Sequence, residues 1–322
     1  MNISFQSGNF RTTLKKLCMT KKNKLKLLIL GGSGFVSGHL VQKALEYGHE
    51  VWVLTRGSKP VPAGAISLQA DRSDSRAFKK VIEDAGIGWD AVLDCICMNA
   101  EAARQDVEVF RDRTKQLLVI STDIVYEPAA RKFPQAEECE NWVADGYAGN
   151  KRLCELEFLN ADTGGMSWTI LRPGHIFGPG SQLGCLPLHQ RDPQLIKRLI
   201  AHEPISLVGG GHFLLHPVYV TDLCGLMLDL LGNQKARNRI FCVGGPEVIE
   251  CRKYYQIIAD ILKVDIKIED IPIEDFLPSH PEAVPSVCHR IYDLSELKAA
   301  GAKMPGTSIR EGMKLHVDAL LK

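Results

Sequence analysis

Tyr147 and Lys151 stand four residues apart in the run Tyr147-Ala148-Gly149-Asn150-Lys151. On a helix, residues at i and i+4 share one face, so a phenol and an ammonium would project side by side. That pair suits proton transfer to and from an alcohol or carbonyl oxygen. A free phenol, with a pKa of ~10, is a weak acid-base catalyst at neutral pH, and a neighbouring ammonium stabilises its anion. The spacing alone is common on helix surfaces. Two upstream features give it weight. One is the hydroxyl-bearing run Ser121-Thr122-Asp123-Ile124-Val125-Tyr126, which closes an apolar stretch. The other is the turn Gly31-Gly32-Ser33-Gly34-Phe35-Val36-Ser37-Gly38. In that turn Gly31 permits a tight bend and Gly34 lets backbone amides approach a pyrophosphate. The following helix N-terminus adds partial positive charge.

These groups meet only if the intervening elements bring them together. Leu25 to Leu30 is a continuous apolar run ending in the glycine turn, and a helical pattern follows from Phe35 to Tyr47. Further strands are expected at Glu50 to Thr55, Ile66 to Ala70, Asp90 to Cys97, Gln116 to Ser121 and Trp168 to Leu171. Helices are expected at Ser75 to Ala85 with Asp74 as N-cap, at Glu101 to Arg111, and from Asp145 to about Leu159. Strands alternating with helices of this length specify an α/β fold: a Rossmann-type, doubly wound parallel sheet. Beyond Arg172-Pro173 the punctuation changes, with Pro179, Gly180, Pro187, Pro193 and the triplet Gly209-Gly210-Gly211. A helix at Asp222 to Leu231 and a strand at Ile240 to Val243 return to the first lobe. The chain then leaves again through a helix near Tyr254 to Leu262 and the tract Pro272 to Pro285. The expected organisation is a dinucleotide-binding lobe of residues 25–172 plus about 215–245, interleaved with a smaller C-terminal substrate lobe of about 173–214 plus 246–322.

With 322 residues, 45% apolar and 24% charged, the chain can bury a full core. Its net charge of +1 gives no overall field toward nucleic acid or anionic lipid. The ten cysteines include no pair at CxxC spacing. They read as reduced core thiols of a cytoplasmic protein, and no metal is expected. No apolar run reaches the ~18 residues of a membrane span. Residues 1–24 carry Arg11, Lys15, Lys16, Lys21, Lys22 and Lys24 and no acid. They are expected to be a disordered basic extension, with Met19 as an alternative start and a transit peptide as the other reading.

The end of the second strand decides between dinucleotides. An acid there would hold the ribose hydroxyls of NAD; this chain has Thr55-Arg56-Gly57. An arginine without an acid suits a 2′-phosphate, so NADP is favoured over NAD, and the alternative is that Arg56 is only a solvated loop cation.

The glycine turn, the Ser121-Thr122 strand end and Tyr147–Lys151, in that order, resemble the extended short-chain dehydrogenase/reductase family, also called the NAD-dependent epimerase/dehydratase family. The resemblance runs from about Lys24 to Leu321. It departs at the turn, where the family's last glycine falls on Ser37. It implies a cofactor site of Gly31, Ser33, Gly34, Phe35 and Val36. It places Asp71 and the amide of Arg72 at the adenine, and Cys95 and Ile96 at the adenosine ribose. Pro173 and His175, in the Leu171-to-Gly180 segment, would lie beside the nicotinamide. It implies catalysis by Thr122, Tyr147 and Lys151, with Asp123 either an acid or a turn residue and Ser121 packed or capping. His175 is either an additional acid-base group or a packing residue. The dehydratases of the family use a glutamate where this chain has Ile124, which disfavours dehydration. Members acting on nucleotide sugars carry a diphosphate-clamping arginine where this chain has Leu215, unless Lys197, Arg198 or Arg290 takes that part. A homodimer through the helices near 101–111 and 147–159 is what the family suggests.

The favoured function is an NADP-linked oxidoreductase or epimerase acting on a sugar-like secondary alcohol. Nucleotide-sugar dehydration is the first alternative. The second is RNA binding, because the Leu54-to-Lys59 loop and the missing clamp look like the chloroplast stem-loop-binding proteins. An intact Tyr147 and Lys151 weigh for chemistry and against a nucleic-acid partner.

Overall fold

The computed structural model describes residues 24–322; the expected basic extension lies, apart from Lys24, outside them. Strands β1 (Lys26–Leu30), β2 (Glu50–Thr55), β3 (Ile66–Gln69), β4 (Ala91–Asp94), β5 (Gln116–Ile120) and β6 (Ser167–Pro173) lie in the order β3-β2-β1-β4-β5-β6. Four short strands follow, β7 (Ile176–Phe177), β8 (Ile205–Val208), β9 (Leu214–Leu215) and β10 (Val218–Tyr219), before β11 (Arg239–Val243) joins the outer edge of β6. Every pairing in the seven-stranded sheet is parallel. This is the doubly wound sheet that the alternating pattern predicts.

Both faces are covered, which is why these strands read as unbroken apolar runs rather than alternations. Leu27, Ile29, Val51, Val53 and Leu93 pack against Leu40 and Val41 of α1 (Phe35–Glu46) and Leu223 and Met227 of the helix Val220–Asp229. Their neighbours Leu28, Leu30, Trp52, Leu54 and Val92 face the other way. There they meet Phe78 of α2 (Ser75–Ala85), Phe110 of α3 (Ala100–Phe110) and Phe158 of α4 (Gly146–Asn160). Asp74 caps α2 by accepting the Ala77 amide at 2.9 Å.

The expected strand Asp90 to Cys97 stops at Asp94. The Asp94 carboxylate accepts the Ile96 amide at 2.6 Å, and that local turn peels residues 95–98 off the sheet. The strand order reverses between β1 and β4, where the loops after the two strands part and leave a crevice at the carboxyl end of the sheet. A second apolar cluster joins Phe177, Leu195 and Leu207 to Tyr254 and Ile258 of the helix Cys251–Leu262 and to Met313 of the C-terminal helix Ile309–Leu320. There β8 pairs with a strand at Ile268–Ile271, and β9 with one at Ile249–Glu250.

Candidate active site

The crevice opens into a cavity of about 970 Å³. All the residues singled out from the sequence as cofactor-binding or catalytic line it, from Gly31 to His175. In the glycine turn Gly31, which lines the cavity, and its neighbour Gly32 have φ of +107° and +101°, a region that side chains rarely tolerate. A Cβ on Gly32 would lie 2.2 Å from Val53 Cγ1, so this second glycine, not only the first, allows the turn to sit on β2. Gly32→Ala is therefore expected to cost about 2 kcal/mol or more, read as a lowered melting temperature. Ser37, at the position of the family's last glycine, is buried, and its Oγ accepts the Gly34 amide at 3.1 Å. That contact engages the N–H of Gly34 itself. The amides left for an anion by their place in the first turn of α1 are those of Phe35 and Val36.

Arg56 leaves the end of β2 exposed and makes no salt bridge among the described residues. Its charge reaches Asp71, whose carboxyl is held below its usual range first by the amide and hydroxyl of Ser73 and then by Arg56. The Arg72 side chain is committed elsewhere. Its guanidinium is buried in ion pairs with Asp94 and Asp106 and donates to Ala102 O at 2.7 Å. Only its backbone is left for an adenine. Burial opposes ionisation of both acids. Arg72 outweighs it at Asp94, which is lowered, while Asp106 stays well above the usual range. Cys95 and Ile96 follow on the loop from β4 and form the facing wall.

Thr122 lies two residues past the end of β5, buried, and its hydroxyl makes only long contacts, 3.4 Å to Asp123 Oδ1 and 3.5 Å from the Ile124 amide. It is the loosely held hydroxyl of the pair. Ser121 is tied down, donating to Glu155 Oε1 at 2.6 Å, as a packing role requires. Tyr147 and Lys151 sit on the first turns of α4 and both face the cavity. Lys151 is buried, with Nζ on Cys97 O at 2.6 Å and Ile120 O at 2.5 Å. These two carbonyls pin the ammonium between the loop after β4 and the end of β5 and leave one of its three donors. Tyr147 is 53% exposed. Gly149 between them has a packing reason: a Cβ there would lie 2.2 Å from Ala144 O.

Asp123 is neither an unpaired acid nor a simple turn residue. Its carboxylate accepts Tyr292 Oη at 2.6 Å and pairs with Arg290 Nη1 at 3.3 Å, while Arg131 donates to its carbonyl at 2.9 Å. His175 is driven down to about 3, first by burial and then by the charges of Arg290 and Arg191, so it is neutral at pH 7. Its ring meets Tyr254 edge-on at 5.3 Å. A group protonated only near pH 3 is no general acid at neutral pH, which favours the packing role. Leu215 is buried in the second apolar cluster. Lys197 is exposed and Arg198 pairs with Asp192, and neither lines the cavity. Arg290 does line it, bridged through its backbone to Leu215.

The residues missed from sequence are the struts. Glu155 receives Arg172 Nε and Nη2 at 2.8 and 2.7 Å, and Arg172 lies against the rings of Tyr126 and Trp142. This buried pair ties α4 to β6 beside Ser121. The one local signal was an acid two turns after Tyr147 on the same face of the helix as Lys151.

The chloroplast stem-loop binding protein of 41 kDa b of Arabidopsis thaliana is 27% identical over 72% of this chain, which spans 62% of that relative's length. A UDP-N-acetyl-alpha-D-glucosaminuronate decarboxylase of Bacillus cytotoxicus is 22% identical over 90% of this chain and 96% of its own. The UDP-glucose 4-epimerase of Thermotoga maritima superposes with a TM-score of 0.74 at 20% identity, covering 92% of this chain and 99% of that one. The model of the NAD dependent epimerase/dehydratase family matches residues 27–244, more than half of the chain and all of the crevice up to the end of β11. The chain therefore belongs to the NAD dependent epimerase/dehydratase family, a family of NAD-dependent enzymes.

Proposed function

We propose that this protein is an NADP-linked oxidoreductase or epimerase acting on a sugar-derived secondary alcohol, with Tyr147 as its acid-base group. The observation that carries the reading is that one cavity holds the glycine turn, Arg56, Thr122, Tyr147 and Lys151 together. The residues present fit a dinucleotide phosphate. Two positive-φ glycines shape the cradle, the first-turn amides of α1 face an anion site, and Arg56 stands without a salt bridge where a 2′-phosphate would lie. When bound, such a cofactor supplies a hydride donor or acceptor at its nicotinamide ring.

The chain's own residues handle the proton. Tyr147 takes it from the substrate hydroxyl or returns it to the carbonyl oxygen. Thr122, whose hydroxyl is only loosely engaged, hydrogen-bonds that same oxygen and orients it. Lys151, held by the Cys97 and Ile120 carbonyls, keeps a positive charge in the wall beside the phenol. Ile124 lines the cavity where a dehydratase needs a base, and an aliphatic side chain accepts no proton. This supports oxidation-reduction or epimerisation over dehydration. The named activities of the decarboxylase and epimerase relatives support a sugar as the substrate.

The test begins with mass spectrometry of the cofactor retained on purification, followed by a screen of sugar alcohols. NADPH is expected to bind about tenfold or more tightly than NADH, and Arg56→Glu to reverse that order. Equal affinities in the unmodified protein would remove Arg56 as the discriminator. RNA binding is the second reading, favoured by the stem-loop-binding relative. A gel-shift assay with structured RNA at physiological salt separates the two.

A further inference from the structure

Five lysine and arginine side chains line the cavity, and three of them are committed: Arg72 to Asp94 and Asp106, Lys151 to two carbonyls, and Arg290 to Asp123. The two that remain, Arg56 and Arg191, are exposed and make no salt bridge among the described residues. They stand apart. Arg56 leaves the end of β2, whereas the guanidinium of Arg191 lies over the ring of Phe35, 5.3 Å from its centroid. Phe35 is the first residue of α1 and lines the cavity with Val36, so this cation covers the helix end whose first-turn amides are left for an anion. A closed loop carries it there. The Asp192 amide donates to Leu183 O at 2.6 Å, and the Asp192 carboxylate, the acid next to Arg191, is taken by Arg198. Arg191 itself has φ of +54°, a conformation that a residue with a Cβ adopts only at a cost. Gly180, upstream on the same segment, comes down on the same helix end: a Cβ there would lie 3.7 Å from Phe35 Cδ2. Leu183 and Cys185 root this loop in the second apolar cluster, while Phe35 packs on the cluster of the sheet and α1.

We propose that Arg191 is a second phosphate-binding residue of the cofactor site, holding the dinucleotide's diphosphate against the first turn of α1 from the loop 183–192. A 2′-phosphorylated dinucleotide carries two separate anionic groups, and the cavity offers two separate uncommitted guanidiniums. Arg56 stands where the 2′-phosphate would lie, which leaves the diphosphate for Arg191. A guanidinium presents paired N–H bonds that match phosphate oxygens, and a contact with an aromatic ring uses none of them. Phe35 thus supports the group and leaves its donors for the ligand. The inference rests on the dinucleotide reading of the glycine turn and deepens it, because the cofactor would then tie the two apolar clusters together.

The experiment titrates the full chain with NADPH by fluorescence at low and high salt, and follows the melting temperature of the ligand-free protein. Arg191→Met keeps an apolar stem for Phe35 but no charge. It is expected to bind NADPH about tenfold more weakly, with a shallower salt dependence and an unchanged melting temperature. Arg191→Lys keeps a point charge without the fork and is expected to lose less. Arg191→Gly removes the guanidinium and the left-handed strain together. It is expected to bind as weakly as Arg191→Met while melting no lower than the parent, and serves if the first variant fails to fold. A second titration, of UDP into the NADPH-saturated chain, separates a cofactor phosphate from a substrate phosphate, and UDP is expected not to respond to residue 191. Unchanged NADPH affinity in Arg191→Met and Arg191→Gly overturns the proposal. So does a loss of UDP binding with NADPH unaffected, which would give the arginine to the substrate. A parent that binds neither NADPH nor NADH sinks the dinucleotide reading itself, whereas a parent that binds NADPH indifferently to residue 191 sinks only the part given to Arg191.

Discussion

Tyr147→Phe is expected to lower turnover by about 10²–10⁴-fold while leaving the affinity for NADPH within about twofold of the unmodified protein. The size follows from the task. In the proposed mechanism the phenol both gives and receives the substrate's proton, and phenylalanine keeps the ring but not that oxygen. The cleanness of the test follows from the surroundings. Tyr147 is half exposed and lies in the first turn of α4, so removing its oxygen leaves no buried partner unsatisfied and no cavity behind. Lys151 offers no such clarity, because its ammonium also holds the carbonyls of Cys97 and Ile120 together. Any substitution there disturbs the loop after β4 and the end of β5 as well as the proposed chemistry. The measurements are initial rates on the alcohol found by screening and a fluorescence titration of NADPH. Full activity in Tyr147→Phe would end the phenol mechanism.

What could be read from the residues in order was local. The glycine turn announces itself because a strand, a tight bend and a helix N-terminus are consecutive in the chain. Thr122, Tyr147 and Lys151 stand out by short spacings after a strand and along a helix face, and the fold brings all three to one cavity. What could not be read was long-range pairing. The place of Arg72 after β3 says nothing of its side chain, whose guanidinium goes to Asp94 and Asp106, brought to it by β4 and α3. Asp123 sits in a family motif, but its partners Arg290 and Tyr292 lie 167 and 169 residues away. No periodicity links them. His175 shows a third kind of limit: its residue type allows acid-base work, and only the depth of its burial and the two arginines near it settle its neutral state.

Removing Glu155 is expected to be the most destabilising single change in the site, by about 3–5 kcal/mol for Glu155→Ala, measured by denaturant unfolding. Glu155 and Arg172 are 1% and 0% exposed, so alanine leaves a guanidinium charge in the interior without its carboxylate. Ser121 Oγ and Arg152 Nη1, at 2.6 and 2.8 Å, lose their acceptor at the same time. Glu155→Gln keeps the volume and is expected to cost less, because one oxygen can still accept. The pH dependence has a definite sign. Burial opposes ionisation of Glu155, but Arg172 and the hydrogen bonds from Arg172, Ser121 and Arg152 outweigh it, so its carboxyl is lowered in the folded chain. The stability it contributes is present above the unfolded value of about 4.3 and is lost as pH falls through the lowered folded one. The unmodified protein should therefore show a steeper loss of stability in acid than Glu155→Gln does. Arg172 has two other acceptors, Tyr126 Oη at 2.9 Å and Glu137 O at 2.6 Å, and both are uncharged. If they were enough to hold the guanidinium, Glu155→Ala would unfold at the same denaturant concentration as the parent. The tie between α4 and β6 would then rest on ring packing against Tyr126 and Trp142 rather than on the ion pair.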